Sequence, residues 1–239
     1  MRRIIPMIVG LVFVAALGLG GYFLLVEEED TYEGSGLVDT SAPTVVNEDD
    51  SDRGVLFTLV PTDTVASYTI DEVFLEDGNT LVTAVGRTSQ VQGAFWANFD
   101  NPTESEFEPF VVDISTLKSD RSRRDRAIRK EWLESSTYPL ATFEVSEIRD
   151  FPDELVAGET FDFQLVGDMK VKETTIEVVW DVTAVFNGDT FSGTATLPIS
   201  LPDFNVPAPS LAGVLTVEED LVATFDFTFV RVDAVAEGS

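Results

Sequence analysis

The residue types that carry most protein chemistry are missing from this chain or unplaced within it. Among 239 residues there is no Cys and no His. Thiol nucleophiles, a Ser–His–Asp triad, His-ligated haem and Cys-based zinc or iron–sulfur centres are therefore excluded. Disulfides and lipoprotein acylation are excluded with them. One motif with nucleophile spacing remains, Ser115-Thr116-Leu117-Lys118. It fits the S-x-x-K pattern, in which the Lys lies one helical turn beyond the Ser. Here the four residues leave an expected strand, where positions three apart point to opposite faces. The companion S-D-N and K-T-G motifs are absent. Paired carboxylates could serve as acid and base, but 43 Asp and Glu make close pairs unavoidable and single out no site. No phosphate-cradling Gly loop occurs. The acidic run Asn47 to Asp52 lacks the spaced ligands, central Gly and closing Glu of a calcium loop. The expectation is a binding protein, not an enzyme, with no metal and no cofactor.

Charge is the sharper signal. Lys and Arg number 15, and the formal charge is -28. Such a surface repels nucleic acid and anionic membranes at long range, so no nucleic-acid partner is expected. Yet the segment from Lys118 to Lys130 holds seven of the 15 basic residues: Lys118, Arg121, Arg123, Arg124, Arg126, Arg129 and Lys130. The segment's only acids are Asp120 and Asp125.

The elements that must position these residues are mostly strands. Ile176, Val178, Trp180 and Val182 share one face of a period-two run, and Phe225, Phe227 and Phe229 alternate with Thr224, Asp226 and Thr228. Phe161, Phe163 and Leu165 alternate likewise. This is the pattern of half-buried strands. Further strands are expected over Val55–Val60, Tyr68–Leu75, Thr80–Ser89, Val91–Phe99, Phe107–Ile114, Ala141–Ile148 and Thr190–Ile199. Asp77-Gly78-Asn79 and Asn187-Gly188-Asp189 read as hairpin turns. About ten short strands joined in this way imply an antiparallel sandwich or barrel. One helix interrupts them. Ser122 and Asp125 have capping-box spacing, Arg126 to Glu134 are mostly good helix formers, and Ile128 and Trp132 lie four apart. Tyr138-Pro139 ends the segment. The 18 Phe, against three Met, predict a core built on rigid rings.

The chain starts differently. Arg2 and Arg3 precede an uncharged run from Ile4 to Val26, and Glu27 to Asp30 follow at once. As a helix the run would span about 35 Å, enough to cross a hydrocarbon core of ~30 Å. The arginines would stay cytoplasmic and send the rest outside. A cleaved signal peptide is the competing reading, and it also exports the domain. The expected organisation is an anchor over 1–26, an acidic flexible tether over 27–53, a β domain over 54–233 and a tail over 234–239.

The stretch from Tyr68 to Phe143 resembles a known family. The matching pieces are Tyr68-Thr69-Ile70-Asp71-Glu72-Val73, Val85-Gly86, Val91-Gln92-Gly93, Ser115 to Asp120, Arg124-Asp125, Ala127-Ile128-Arg129 and Tyr138-Pro139-Leu140-Ala141-Thr142-Phe143. Val166-Gly167-Asp168-Met169-Lys170-Val171-Lys172 continues the likeness. These pieces are similar to the YceI-like family, lipocalin-like antiparallel barrels that bind polyisoprenoids or other long amphipathic molecules. Glu173 departs from it, standing where the family usually has Gly. The resemblance implies an all-β, lipocalin-like antiparallel β-barrel with one inserted helix, here preceded by a single N-terminal transmembrane helix. It implies a barrel lined by Phe95, Phe99, Phe143, Phe163, Trp180, Phe225, Phe227 and Phe229, taking up a polyisoprenoid or fatty-chain amphiphile. Arg121, Arg123, Arg124, Arg126 and Arg129 are then candidates for holding an anionic head group, since Arg offers a planar fork of donors to phosphate oxygens. The competing readings are a barrel filled by its own side chains, and arginines that pair with neighbouring acids. In the latter, Arg124-Asp125 would tie helix to sheet. A homodimer is left open.

Overall fold

The computed structural model of the chain describes residues 53–75, 78–211 and 214–232. The expected anchor, nearly all of the tether and the tail lie outside the described residues. Among the described residues no helix is long and apolar enough to cross a membrane.

In chain order the strands are β1 (Val55–Leu59), β2 (Val65–Phe74), β3 (Thr80–Thr88), β4 (Val91–Gln92), β5 (Ala94–Ala97), β6 (Glu106–Phe107) and β7 (Phe110–Asp113). A short helical segment follows, and then β8 (Leu140–Arg149), β9 (Thr160–Val171), β10 (Thr174–Phe186), β11 (Thr190–Ser200), β12 (Ser210–Leu211) and β13 (Leu215–Arg231). All strand pairings are antiparallel. The main path runs β4-β7-β8-β9-β10-β11-β13-β1-β5-β6, with β2 between β13 and β3. Only Gly93 separates β4 from β5. The sheet therefore curls until its path returns to the segment from which it started. The result is a curled, antiparallel, lipocalin-like sheet with one helical insertion.

Local chemistry explains the bends. β1 and β2 are broken by a single 3-10 turn at Pro61–Asp63, where Pro supplies a fixed φ and needs no donor. Buried Thr64 pins the break: its hydroxyl donates to Val60 O at 2.8 Å and accepts from Thr228 N at 3.3 Å. The hairpin turns carry positive φ where expected, at Gly78 (+71°), Asn79 (+63°) and Gly188 (+80°). β9 and β10 meet across Lys172-Glu173 alone, and Lys172 takes φ +56°. The turn forms without Gly at position 173.

The helical segment corrects the expected capping box. α1 covers Ser122–Ala127, starting one residue earlier than the capping box implies, and passes into a π-turn at Ile128–Trp132. Arg121, not Ser122, occupies the N-cap, and it makes no side-chain cap. Asp125 is turned away from Ser122: its Oδ1 accepts from Ser119 N at 3.0 Å and from Ser119 Oγ at 2.5 Å. The expected strand exit at Ser115 is also different. Ile114–Thr116 form a 3-10 turn capped by Asp113, whose carboxylate accepts from Ser115 N at 3.0 Å and from the Ser115 hydroxyl. Ser115 is fully buried and Lys118 is exposed.

Candidate ligand-binding site

Strand alternation sends the aromatic side chains into the concavity of the sheet, where they form two clusters. The first centres on Phe57, Phe191, Phe227 and Phe229, with Phe95, Phe161, Phe163, Phe186 and Phe225 packed against it. Phe57 stacks on Phe95 at 5.2 Å, Phe186 on Phe191 at 4.4 Å, and Phe95 meets Phe229 edge-on at 5.0 Å. This end of the concavity is filled by the protein's own rings. The second cluster comprises Phe143, Val178, Leu197, Phe204 and Val206, with Trp132, Met169, Ile176, Ile199 and Leu201 around it. Leu165, Trp180 and Phe110 touch both clusters, so they mark the junction. Leu165 and Trp180 at the junction, and Met169, Ile176 and Ala223 beside the second cluster, stay partly open to solvent. The Trp180 indole nitrogen is itself buried and has no acceptor.

A polar clamp joins the helical insertion to β2. Tyr68, Ile70 and Glu72 alternate on one face of β2, and Glu72 is only 4% exposed. Arg124 of α1 reaches it with both prongs: Nε donates to Oε1 at 2.6 Å and Nη2 to Oε2 at 2.7 Å. Its remaining nitrogen, Nη1, donates to Ser119 Oγ at 3.0 Å and to Asp120. The Glu72 bonds, above all, push the Arg124 guanidinium further above its already high value. The Asp120 carboxyl is held below the usual carboxylate range, chiefly by its bond from Arg124. Burial, and then the Asp125 carboxylate, push the Tyr68 phenol well up. Gly86 makes room for that phenol, since a Cβ there would lie 2.2 Å from Tyr68 Cε1.

This curled sheet, with its ring-lined interior and helical insertion clamped to β2, is matched by a sequence family. The YceI-like domain matches residues 57–229. The chain belongs to the YceI-like family. Among solved structures, BcnA of Burkholderia cenocepacia is 18% identical, with a TM-score of 0.54, over 71% of this chain and 98% of BcnA. A polyisoprenoid-binding domain from Saccharophagus degradans, implicated in plant cell wall breakdown, is 13% identical, with a TM-score of 0.56. It aligns over 74% of this chain and 99% of its own. At these identities both show a shared fold. No curated protein matches the chain.

Within the YceI-like domain, seven of the eight expected lining residues come together. Phe143, Phe227 and Phe229 are buried, and Phe95, Phe163, Trp180 and Phe225 are half-buried beside them. Phe99 stands apart: it is 46% exposed and lies 6.4 Å from Phe57 and 5.5 Å from Phe186, at the margin of the ring network. The five arginines are not assembled into one ring of donors. Arg124 is committed to Glu72, Ser119 and Asp120. Arg121 lies over the Phe74 ring at 5.0 Å, and Arg129 Nη1 donates back to Leu117 O at 3.3 Å. Arg123 is exposed and Arg126 half-buried. Two depressions, of about 360 and 310 Å³, are lined mostly by polar side chains, including Asp162, Gln164 and Asp181 in one and Thr103, Ser105 and Glu147 in the other. Neither is lined by Phe110, Leu165 or Trp180. Glu72 and Tyr68 were missed as site residues. Their signal was present: Glu72 is the lone charge on the face that it shares with Tyr68, Ile70 and Phe74.

Proposed function

We propose that this YceI-like domain binds a long apolar chain, a polyisoprenoid or a fatty-chain amphiphile, in the concavity between its two clusters. The observation that carries the reading is the set of partly open apolar side chains formed by Leu165 and Trp180 at the junction and Met169 and Ile176 beside the second cluster. Apolar side chains directed inward yet left wetted gain free energy when an apolar ligand covers them. The polyisoprenoid-binding domain of Saccharophagus degradans, which shares the fold, supports the same ligand class. Each buried methylene contributes ~0.8 kcal/mol, so one isoprene unit offers about 3–4 kcal/mol gross. Association and ordering cancel several kcal/mol, so a few units are needed for useful affinity. Titration with polyprenols of increasing length should therefore show saturable binding that tightens with each added unit and then levels off. Absence of saturable binding at every length contradicts the proposal.

In the same reading, Arg121, Arg123, Arg126 and Arg129 hold an anionic head group near the clamp. Gln replacements there should weaken a polyprenyl diphosphate and leave the uncharged alcohol unaffected. The N-terminal apolar run, with Arg2 and Arg3 before it, tethers the domain outside a membrane or exports it. Protease treatment of intact cells should then degrade or release the domain, and full protection would exclude that placement. A second reading is favoured by one observation, the closely stacked rings around Phe57. In it the interior is filled throughout, and the domain acts as a non-catalytic interaction module.

A further inference from the structure

Trp180 separates this concavity from a uniformly apolar one. It stands on β10 in the inward register between buried Val178 and Val182, and it touches both ring clusters. Its nearest aromatic neighbour is Phe143, at 6.1 Å between ring centres. Trp132 also packs on the second cluster, but of these two indoles only that of Trp180 has its nitrogen buried without a partner. The indole nitrogen is a donor only, and here it is buried without an acceptor. A buried, unmade hydrogen bond costs about 1–3 kcal/mol. A Phe at this position would carry no such cost, so the donor is a feature to be explained.

The second buried orphan indole shows what an orphan alone does not prove. Trp96 packs with Leu56 and Ala94, on the side of β1 and β5 opposite to Phe57 and Phe95, and Arg53 lies 3.4 Å over its ring. It faces no lining. Trp180 differs because its partly open side chain packs on both clusters of the lining. Resting on the lipid-binding reading above, we infer that the ligand carries a hydrogen-bond acceptor within its apolar chain, a keto, ether or hydroxyl oxygen, that meets Trp180 Nε1 at the junction of the clusters. Trp180 is then a specificity-determining residue that selects an oxygenated chain over a plain hydrocarbon chain. An acceptor at the right depth satisfies a donor that a methylene would leave unpaired. A chain with its oxygen elsewhere has to desolvate that oxygen against hydrocarbon.

The test uses the full chain and a panel of octadecanoic acids, one plain and the others with a single ketone at different depths. Dissociation constants are measured by calorimetric titration for the wild type, Trp180→Phe, and a variant bearing benzothienylalanine at position 180. The last keeps the ring size and replaces N–H by sulfur, so it separates the donor from the volume. Wild type is expected to prefer one keto isomer over the plain chain by about tenfold, the equivalent of ~1.4 kcal/mol. The preference, taken as the ratio of keto-isomer to plain-chain affinity within each variant, should fall to within about twofold in both, whatever the change in affinity for the plain chain. The infrared carbonyl stretch of the preferred isomer should be lowered in wild type and return towards its apolar-solvent position in both variants. Equal binding of all isomers by wild type, or a preference that survives in the benzothienyl variant, overturns the inference and leaves the lipid-binding reading intact. Failure of every chain to bind overturns that reading, and this inference with it.

Discussion

Replacing Arg124 by Met tests whether the helical insertion is clamped to the sheet by a buried ion pair. The Arg124 and Glu72 side chains are 9% and 5% exposed and share two hydrogen bonds, of 2.6 and 2.7 Å. An ion pair on the surface contributes about 0–1 kcal/mol. Removing one member of a buried pair strands the other charge and costs about 3–5 kcal/mol. Met keeps most of the aliphatic length of Arg, so lost packing is a small part of the effect. Arg124→Met is therefore expected to be about 3–5 kcal/mol less stable by urea denaturation, followed by circular dichroism. Adding Glu72→Met removes the stranded carboxylate, and the double variant is expected to regain most of that loss, because apolar replacements of a whole buried pair are often neutral. A loss below ~1 kcal/mol in the single variant would refute a buried clamp. A double variant no better than the single one would refute the stranded charge as the cause.

Further outcomes follow from the same geometry. In Arg124→Met the Asp120 carboxyl, no longer bonded by the guanidinium, should titrate back up towards the ordinary aspartate range in an NMR experiment. In wild type that depressed carboxyl contributes stability above its unfolded value, which is lost as the pH falls through the folded one; the variant should lack this acid-side loss. Phe227→Asp places an unpaired charge in the first ring cluster, where Phe227 is 9% exposed. It should lose its cooperative thermal transition, and unchanged stability would place Phe227 outside the core. Gly86→Ala drives a Cβ to 2.2 Å from the Tyr68 ring. It should cost about 1–3 kcal/mol by chemical denaturation, and Tyr68→Leu in the same chain should recover part of it.

The strands were legible because their signal is local. The alternation at Phe225, Phe227 and Phe229 and that at Ile176 to Val182 each fix a face without knowledge of any partner, and both faces point inward as expected. Turn glycines such as Gly188 were legible for the same reason. The helical segment was misread where a local rule competed with a tertiary one. Ser122 and Asp125 have capping spacing, but Asp125 bonds Ser119 instead, in the same buried corner where Arg124 bonds Ser119 and Glu72. The arginine cluster looked like one feature because its members are neighbours in sequence. Their partners are not: Arg124 finds Glu72, 52 residues away, and Arg121 finds the ring of Phe74. The two-residue β12 pairs across its own turn with β13 and has too short an alternation to be seen in sequence.

The central claim, an apolar chain held in the concavity of this YceI-like domain, is tested most directly by native mass spectrometry of the full chain purified without organic extraction, with lipid analysis of what is released on unfolding. The account predicts one dominant co-purifying molecule, bound one per domain, with a long isoprenoid or acyl chain and, by the Trp180 argument, an oxygen within that chain. A protein that travels only at its polypeptide mass, and gains no adduct when incubated with polyprenols or long-chain acyl amphiphiles, would contradict it.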